Sequence, residues 1–264
     1  MRYSLGYGYE LCLGKGAEAL QYDCTSVFCP LEDRNCTDEY IIDAYVVNND
    51  VVIKCNGTHE ERVPQDRWLA TCIKMLKDVA VKSNRYAQIV FHGSCVLYQG
   101  YTFLFVGKSR SGKTTTLYRI MQECGGLFVS DDVTLCTPCD YRIVPQPKST
   151  IQLRMPYARD GVVVKDAWHY GQVGLYTPGI HCASQVVMSE IGLDFIVDIS
   201  YDSSINAIIL EKKDSFEAIN TLLPNILNIK TLRPIEIVSC LASVKQVYSC
   251  KYNGEVVELL EKII

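Results

Sequence analysis

The hydrophobic positions of this chain change their spacing from segment to segment, and the spacing predicts both strands and helices. Residues 40–47 and 51–55 are rich in β-branched and aromatic side chains and flank Asn48 and Asn49, which predicts a β-hairpin. Within residues 66–83, apolar side chains recur three and four positions apart, which predicts a helix with one buried face. We therefore predict that residues 1–85 form a β-rich N-terminal portion that ends in a helix.

The rest of the chain alternates between the two patterns. Asp214 and Glu217 have the spacing of a capping box, and Pro234 stands where a helix is expected to begin. Strands are predicted at residues 87–91, 95–98, 101–106, 127–130, 195–200, 207–210 and 246–252, and helices from residues 114, 214, 234 and 255. Residues 154–190 lack a regular pattern and predict a long, partly ordered loop region. The alternation predicts an α/β fold for residues 86–264.

One short segment carries a chemical signature. Residues 107–114 read GKSRSGKT and match the phosphate-binding pattern G-x-x-x-x-G-K-[ST]. A predicted strand precedes the segment and a predicted helix follows it, so backbone N–H groups and the positive end of a helix dipole would surround an anion. The predicted nucleotide-binding residues are Gly107, Lys108, Ser109, Arg110, Ser111, Gly112, Lys113, Thr114 and Thr115.

Each residue type in this loop has a physical reason. Gly107 and Gly112 allow backbone angles that a Cβ forbids, so the chain can wrap closely around a phosphate. Lys113 would reach the β- and γ-phosphates, and the Thr114 hydroxyl would bind Mg²⁺. The loop therefore predicts ATP and Mg²⁺ as cofactors. A Gly/Ser-rich turn followed by a chance Lys-Thr is the alternative, which the strand and helix on either side disfavour.

Acidic residues and a histidine follow two neighbouring predicted strands. Asp131 and Asp132 close the strand at residues 127–130, and we expect this strand to lie next to the loop strand, where nucleotide enzymes place metal and base carboxylates. Adjacent side chains of an extended segment point to opposite sides, so at most one carboxylate would face the nucleophile. His92 follows the strand that ends at residue 91. A turn without chemistry, and a structural histidine, are the alternatives.

Composition and charge limit the kinds of binding partner that we expect. The formal net charge is −4, whereas nucleic-acid-binding proteins carry clusters of positive charge. No apolar run approaches the length of a membrane span. The N-terminal segment lacks the apolar core of a secretory signal, so we expect a cytoplasmic protein whose thirteen cysteines are reduced thiols. Neither nucleic acid nor a membrane is expected as a partner.

Three of these segments together resemble the catalytic domain of the HPr kinase/phosphorylase family. They are His92-Gly93, the loop at residues 107–114 and Ser130-Asp131-Asp132, with 21 residues from His92 to Lys113 and 18 from Lys113 to Asp131. The resemblance is strongest over residues 88–140 and weaker over residues 150–260. It extends in particular to HPr-kinase-related proteins of ribosomal peptide modification clusters, some of which phosphorylate a serine hydroxyl of a lasso peptide.

The resemblance implies a role for individual residues. Asp131 matches the proton acceptor that takes the proton of the attacking hydroxyl. Lys113 and His92 match active-site positions, and Thr114 matches a metal-binding serine.

The chain departs from the family at its second metal ligand, a glutamate within a glycine-rich segment. That segment is absent here, and Pro156 stands near the place of the glutamate. Asp132 is the nearest replacement, and Asp160 and Glu190 are further candidates. Segments needed for phosphorolysis are also not recognisable, so neither phosphorolysis nor HPr as substrate is expected from the resemblance.

The implied fold is a P-loop nucleotide-binding core of HPr kinase/PEP carboxykinase-like type at residues 86–264. The implied function is an ATP-dependent kinase acting on a serine- or threonine-type hydroxyl of a peptide or protein acceptor, with acceptor contacts expected within residues 155–181. A nucleotide-binding regulator or chaperone of a peptide-modifying complex, and a plain NTPase, are the alternatives. A homo-oligomer is compatible with the sequence.

Overall fold

The fold is given by a computed structural model of the chain. The structure describes residues 2–6, 9–14, 17–20, 29–30, 40–56, 59–82, 89–137, 140–146, 151–154, 167–170, 173–176, 187 and 189–264. The chain is a mixed α/β protein with several sheets, and it divides into two compact units. The first unit comprises Met1–Ala80 and Gln146–His181, and the second comprises Val81–Pro145 and Cys182–Ile264.

The described elements of regular structure are numbered here in chain order. They are β1 (Arg2–Gly6), β2 (Tyr9–Leu13), β3 (Cys29–Pro30), β4 (Tyr40–Val47), β5 (Asp50–Cys55), β6 (His59–Pro64), α1 (Trp68–Lys82), β7 (Ile89–Phe91), β8 (Ser94–Tyr98), β9 (Tyr101–Val106), α2 (Lys113–Cys124), β10 (Leu127–Ser130), β11 (Thr134–Cys136), β12 (Arg142–Val144), β13 (Ile151–Arg154), β14 (Ala167–Tyr170), β15 (Val173–Tyr176), β16 (Ile191–Gly192), β17 (Phe195–Tyr201), β18 (Ile209–Lys212), α3 (Ser215–Leu222), α4 (Pro234–Ser243), β19 (Gln246–Tyr252) and α5 (Val256–Ile263).

The first unit contains a six-stranded sheet in the order β3-β1-β2-β4-β5-β6 and a three-stranded sheet in the order β13-β15-β14. The predicted hairpin is confirmed as β4 and β5, which pair antiparallel. Asn48 and Asn49 join them with φ angles of 50° and 68°, and asparagine tolerates this left-handed region better than most residues do. The predicted helix is confirmed as α1. Strands β14 and β15 are ordered parts of the segment that the sequence predicts as a long loop region, and much of that segment lies outside the described residues.

The main sheet of the second unit has the strand order β10-β8-β9-β17-β19-β18. Strands β8 and β9 form the predicted hairpin, and β9, β17 and β19 are parallel to one another. The expectation that β10 is the direct neighbour of β9 is wrong, because β8 lies between them. Since both pairings with β8 are antiparallel, β10 still runs in the direction of β9, and the two strands end at the same edge of the sheet.

The core of this unit is apolar around the strand that leads to the loop. All residues from Thr102 to Val106 are buried, and the rings of Phe103 and Phe105 stack with centroids 6.4 Å apart. Helix α2 packs against β8 and α5 and buries Leu117 and Ile120. Because burial of such side chains is the main favourable term in folding, β9 and α2 provide a rigid support for the loop between them.

A second sheet of this unit, in the order β16-β12-β11-β7, is antiparallel throughout. The chain segment after α3 runs along β7: Leu227 N donates to Val90 O at 2.8 Å, and Val90 N donates to Asn228 Oδ1 at 3.0 Å. This segment therefore fixes the end of β7 directly before His92.

No helix within the described ranges is long and apolar enough to cross a membrane. The cysteines of the described ranges are not joined by disulfide bonds.

The predicted capping box of α3 is confirmed and gives a test of the fold. Asp214 Oδ1 accepts a hydrogen bond from Glu217 N at 2.8 Å, and Glu217 Oε2 accepts one from Asp214 N at 3.3 Å. Asp214→Ala is expected to lower the free energy of unfolding by about 1 kcal/mol, measured by urea titration, because an N–H of the first turn loses its acceptor. Asp214→Asn should keep most of the stability, and an equal loss in both variants would contradict a capping role.

Candidate active site

The predicted phosphate-binding loop leaves β9 through a glycine that no other residue can replace without a shift. Gly107 has a φ of 134°, and a Cβ there would lie 2.8 Å from Ile199 O, 2.9 Å from Ser111 Oγ and 3.0 Å from Asp198 Oδ1. Gly112, with a φ of 100°, closes the loop directly before α2. Both glycines have a positive φ, and Gly107 also lacks room for a Cβ, which explains why the motif needs glycine at these positions.

Lys113 lies inside the loop and not on its surface. Its side chain is 6% exposed, and Nζ donates to Gly107 O at 2.9 Å and to Lys108 O at 3.0 Å. Burial lowers the pKa of the Lys113 ammonium, while the negative charges of Asp132, Asp131 and Asp198 act in the opposite direction. The loop thus holds the ammonium group of Lys113 between its own carbonyl groups and three nearby carboxylates.

Asp131 is the most enclosed acidic group of the site. It is 0% exposed, and its Oδ1 accepts hydrogen bonds from Ser94 Oγ at 2.7 Å and from Thr114 Oγ1 at 2.9 Å. Ser94 begins β8 and Thr114 lies in the first turn of α2. One carboxylate oxygen therefore connects the end of β10 to the neighbouring strand and to the helix after the loop.

Asp132 has a different partner from its neighbour, although the chain is not extended here as the sequence predicts, because β10 ends at Ser130. The chain turns at this residue, which has a φ of 69°, and its Oδ1 lies 3.3 Å from His92 Nε2. Both side chains are about one third exposed, at 36% for Asp132 and 33% for His92. The structure thus produces one enclosed carboxylate beside Thr114 and one solvent-accessible carboxylate beside His92.

The loop and the first turn of α2 suit a nucleotide phosphate with its magnesium ion. Among the described residues, the buried hydroxyl of Ser111 has no hydrogen-bond partner, and a phosphate oxygen would provide one. The described part of the chain holds no group of three or more His, Cys, Asp or Glu side chains arranged as a metal cluster. A magnesium ion on nucleotide phosphates needs only one or two protein oxygens, since phosphates and water supply the others. Thr114 and Asp132 remain the predicted protein ligands.

Asn225 belongs to the site and was not predicted. Its Oδ1 accepts a hydrogen bond from Gly107 N at 3.1 Å, across 118 residues of sequence, and its backbone O accepts one from His92 N at 2.7 Å. Its Nδ2 donates to Thr221 O at 3.0 Å, which fixes the amide. One asparagine therefore joins the first residue of the loop to the strand end that carries His92. An asparagine within the apolar run LLPNIL is the signal in the sequence, but it does not name the partner.

Asp198 was also not predicted. It lies on β17, paired in parallel register with Val106, the last residue before the loop. Burial raises the pKa of the Asp198 carboxyl, and the positive charges of Lys108, Lys113 and Lys213 lower it to a smaller extent. An acidic residue directly after the apolar run Phe195 to Val197 is the pattern that could have identified it.

The other predicted residues have less defined surroundings. Lys108, Ser109 and Arg110 are exposed on the loop, and Thr115 is half-buried in α2. The carboxylate of Glu190 lies 3.9 Å from Arg142 Nε, so its described ionic partner is this arginine. Asp160, Pro156 and most of the expected acceptor region at residues 155–181 lie outside the described residues.

Comparisons with known proteins add a distant likeness. No known family profile and no curated protein matches the chain in sequence. Among solved structures, the chain is similar to the HPr(Ser) kinase/phosphatase from Coxiella burnetii, with 12% sequence identity and a TM-score of 0.33. The likeness covers 66% of this chain and 86% of that chain. It amounts to a distant structural relationship.

The half-buried carboxylate of Asp198 gives a prediction with a defined pH dependence. Its pKa in the folded protein is raised by burial, so the ionised form destabilises the fold above that pKa. Asp198→Asn is therefore expected to raise the Tm at neutral pH, and the gain should shrink as the pH falls through the folded-state pKa, where Asp198 becomes protonated. Differential scanning calorimetry between pH 4 and pH 8 measures both effects.

The control for this experiment is a carboxyl group whose pKa is shifted in the opposite direction. Hydrogen bonds from Ser204 lower the pKa of Asp202, so Asp202→Asn should not stabilise the protein at neutral pH. A lower Tm of Asp198→Asn at neutral pH would show that the attraction to the three lysines outweighs burial.

Proposed function

We propose that this chain is an ATP-dependent kinase that transfers a phosphoryl group to a serine- or threonine-type hydroxyl of a peptide or protein. The observation that carries the proposal is the hydrogen bond from the Thr114 hydroxyl to the enclosed carboxylate of Asp131. It places a carboxylate beside the residue that the loop motif assigns to magnesium, on a strand–loop–helix unit that already holds Lys113 at its centre.

Phosphoryl transfer requires mainly positioning and charge neutralisation, and the described residues suit both tasks. The backbone N–H groups of the loop and of the first turn of α2 would bind the phosphates, and Lys113 would leave its carbonyl partners for the β- and γ-phosphates. Thr114 and Asp132 would hold Mg²⁺, which supplies positive charge to the transferred group when bound.

The base of the reaction is one of the two adjacent carboxylates. Asp131 is the assignment that the family resemblance implies, and it already accepts hydrogen bonds from two hydroxyl groups, as a base for an attacking hydroxyl must. Asp132 is the alternative, because it is the more accessible of the two and lies beside His92. Substitution of each in turn separates these assignments.

The enclosed carboxylate favours an enzyme over a nucleotide-binding regulator. A protein that only binds nucleotide needs the loop, Lys113 and groups for the metal, whereas phosphoryl transfer also needs a carboxylate that can accept the proton of the attacking hydroxyl. A plain NTPase would use the same groups with water as the acceptor. Detection of a phosphorylated acceptor distinguishes the kinase from the NTPase.

Lys113→Ala tests nucleotide binding. Loss of a charged hydrogen-bond donor to the phosphates should weaken Mg-ATP binding by about 1.5–3 kcal/mol, measured by isothermal titration calorimetry. Lys212→Ala is a matched control, because it removes an exposed lysine of the edge strand β18, outside the loop. Equal affinities of wild type and Lys113→Ala would contradict the assignment of the loop.

Asp131→Asn and Asp132→Asn test catalysis. If Asp131 is the base, Asp131→Asn should lose at least about a hundredfold in phosphoryl transfer while it still binds Mg-ATP. Asp132→Asn should instead weaken magnesium-dependent nucleotide binding. Transfer from labelled ATP would be measured in single turnover on an array of serine- and threonine-containing peptides, including any short precursor peptide encoded beside the gene.

Nucleotide affinity and thermal melting of the same samples are the controls for that experiment. A folded Asp131→Asn variant that binds ATP and transfers at nearly the wild-type rate would exclude Asp131 as the base. If Asp132→Asn then carried the loss, the base would be Asp132. Hydrolysis of ATP without a labelled peptide, in a wild type that binds normally, would favour the NTPase.

A further inference from the structure

The two sides of the loop strand carry different residues. On the β8 and β10 side lie Ser94, Asp131 and Asp132, which are the groups assigned to metal and base. On the other side lie β17 and β19, which are parallel to β9 and end at the same edge of the sheet. The nucleoside and the γ-phosphate are at opposite ends of a nucleotide. If the γ-phosphate faces the carboxylates, the ends of β17 and β19 are the neighbouring strand ends toward which the nucleoside can extend.

Tyr201 stands at that position. It is the last residue of β17, and its N donates to Ser111 O of the loop at 2.9 Å. Its Cβ would lie 3.2 Å from a Cβ built on Gly112, the residue directly before α2. Tyr201 is nevertheless 45% exposed, so part of it is accessible to a ligand.

The Tyr201 ring packs against a second tyrosine. Tyr252 is its register partner on β19, and the two rings meet edge to face with centroids 5.8 Å apart. The Tyr252 hydroxyl in turn shares a hydrogen bond with Thr116 Oγ1 of α2, so the partner ring is itself fixed to the helix after the loop.

We propose that Tyr201 is the platform on which the base of the nucleotide stacks. The inference rests on the proposed function, because it needs a nucleotide in the loop, and it adds the base subsite to it. A ring that is fixed before binding loses little conformational freedom when a ligand covers it, and its exposed surface offers an apolar partner for a planar base. Stacking uses the face of a base and not its edge, so ATP and GTP should bind with similar affinities.

The test compares two nucleotides with a third ligand that has the three phosphates but no nucleoside. Isothermal titration calorimetry would measure Mg-ATP, Mg-GTP and magnesium tripolyphosphate with wild type and Tyr201→Ala. We expect Tyr201→Ala to lose at least about fivefold in affinity for both nucleotides and to bind tripolyphosphate as wild type does. Tyr201→Phe should retain the wild-type affinities, because it keeps the ring.

Phe216→Ala provides a matched control, since Phe216 is an exposed aromatic residue of α3, outside the loop and the strands that end beside it. Unchanged nucleotide affinity in Tyr201→Ala would overturn the proposal. An equal loss for tripolyphosphate would also overturn it, because Tyr201 would then act by supporting the loop. If the wild type binds tripolyphosphate as tightly as ATP, the base contributes nothing to binding. The proposed base subsite would then be wrong, while the assignment of the phosphate-binding loop would stand. A wild type that binds neither ligand would refute the proposed function and the base subsite together.

Discussion

Enclosure of the Asp131 carboxylate is the constraint on which the arrangement of the site depends. A charged carboxylate without access to water is strongly destabilising unless hydrogen-bond donors and a positive charge compensate it. Here the donors are hydroxyl groups of Ser94 on β8 and Thr114 on α2, and Lys113 lies close enough for its charge to interact. Satisfying this one group therefore fixes the relative positions of a strand end, a neighbouring strand and the helix after the loop.

The same edge of the sheet holds further polar groups that the apolar core does not require. Asn225 joins Gly107 to the backbone of His92, and Asp198 is half-buried beside the loop. Burial disfavours the charged form of Asp198, whose carboxylate adds negative potential near Lys108 and Lys113. Titratable groups with perturbed pKa values concentrate at functional sites, which supports the position of the candidate site independently of the loop motif.

The parts of this site that the sequence predicted are those that depend on neighbouring residues. The loop, the helix after it and the hairpin before it are encoded within a few tens of residues, and so is the capping box at Asp214 elsewhere in the fold. The two aspartates differ in this respect, because the chain bends at them and is not extended as the sequence predicts. Asn225 and Asp198 could not be assigned in this way, because their partners are set by tertiary packing across long stretches of chain. The position of β8 between β10 and β9 was missed for the same reason: alternation of strands along the chain does not fix their order in a sheet.

The strand order of the main sheet also places the polar and the aromatic groups of the candidate site on different sides of the loop strand. Because β8 and β10 lie on one side of the loop strand and β17 and β19 on the other, the carboxylates and the two tyrosines are separated by the loop itself. Ser94, Thr114 and Asp131 form one hydrogen-bonded group. Tyr252 is hydrogen-bonded to Thr116 of α2, and its ring meets the ring of Tyr201 edge to face. Helix α2 contributes to both groups through Thr114 and Thr116, which are two positions apart and therefore point in different directions around the helix. The first turn of one helix thus contacts the enclosed carboxylate of Asp131 with one face and, through Tyr252, the exposed ring of Tyr201 with another.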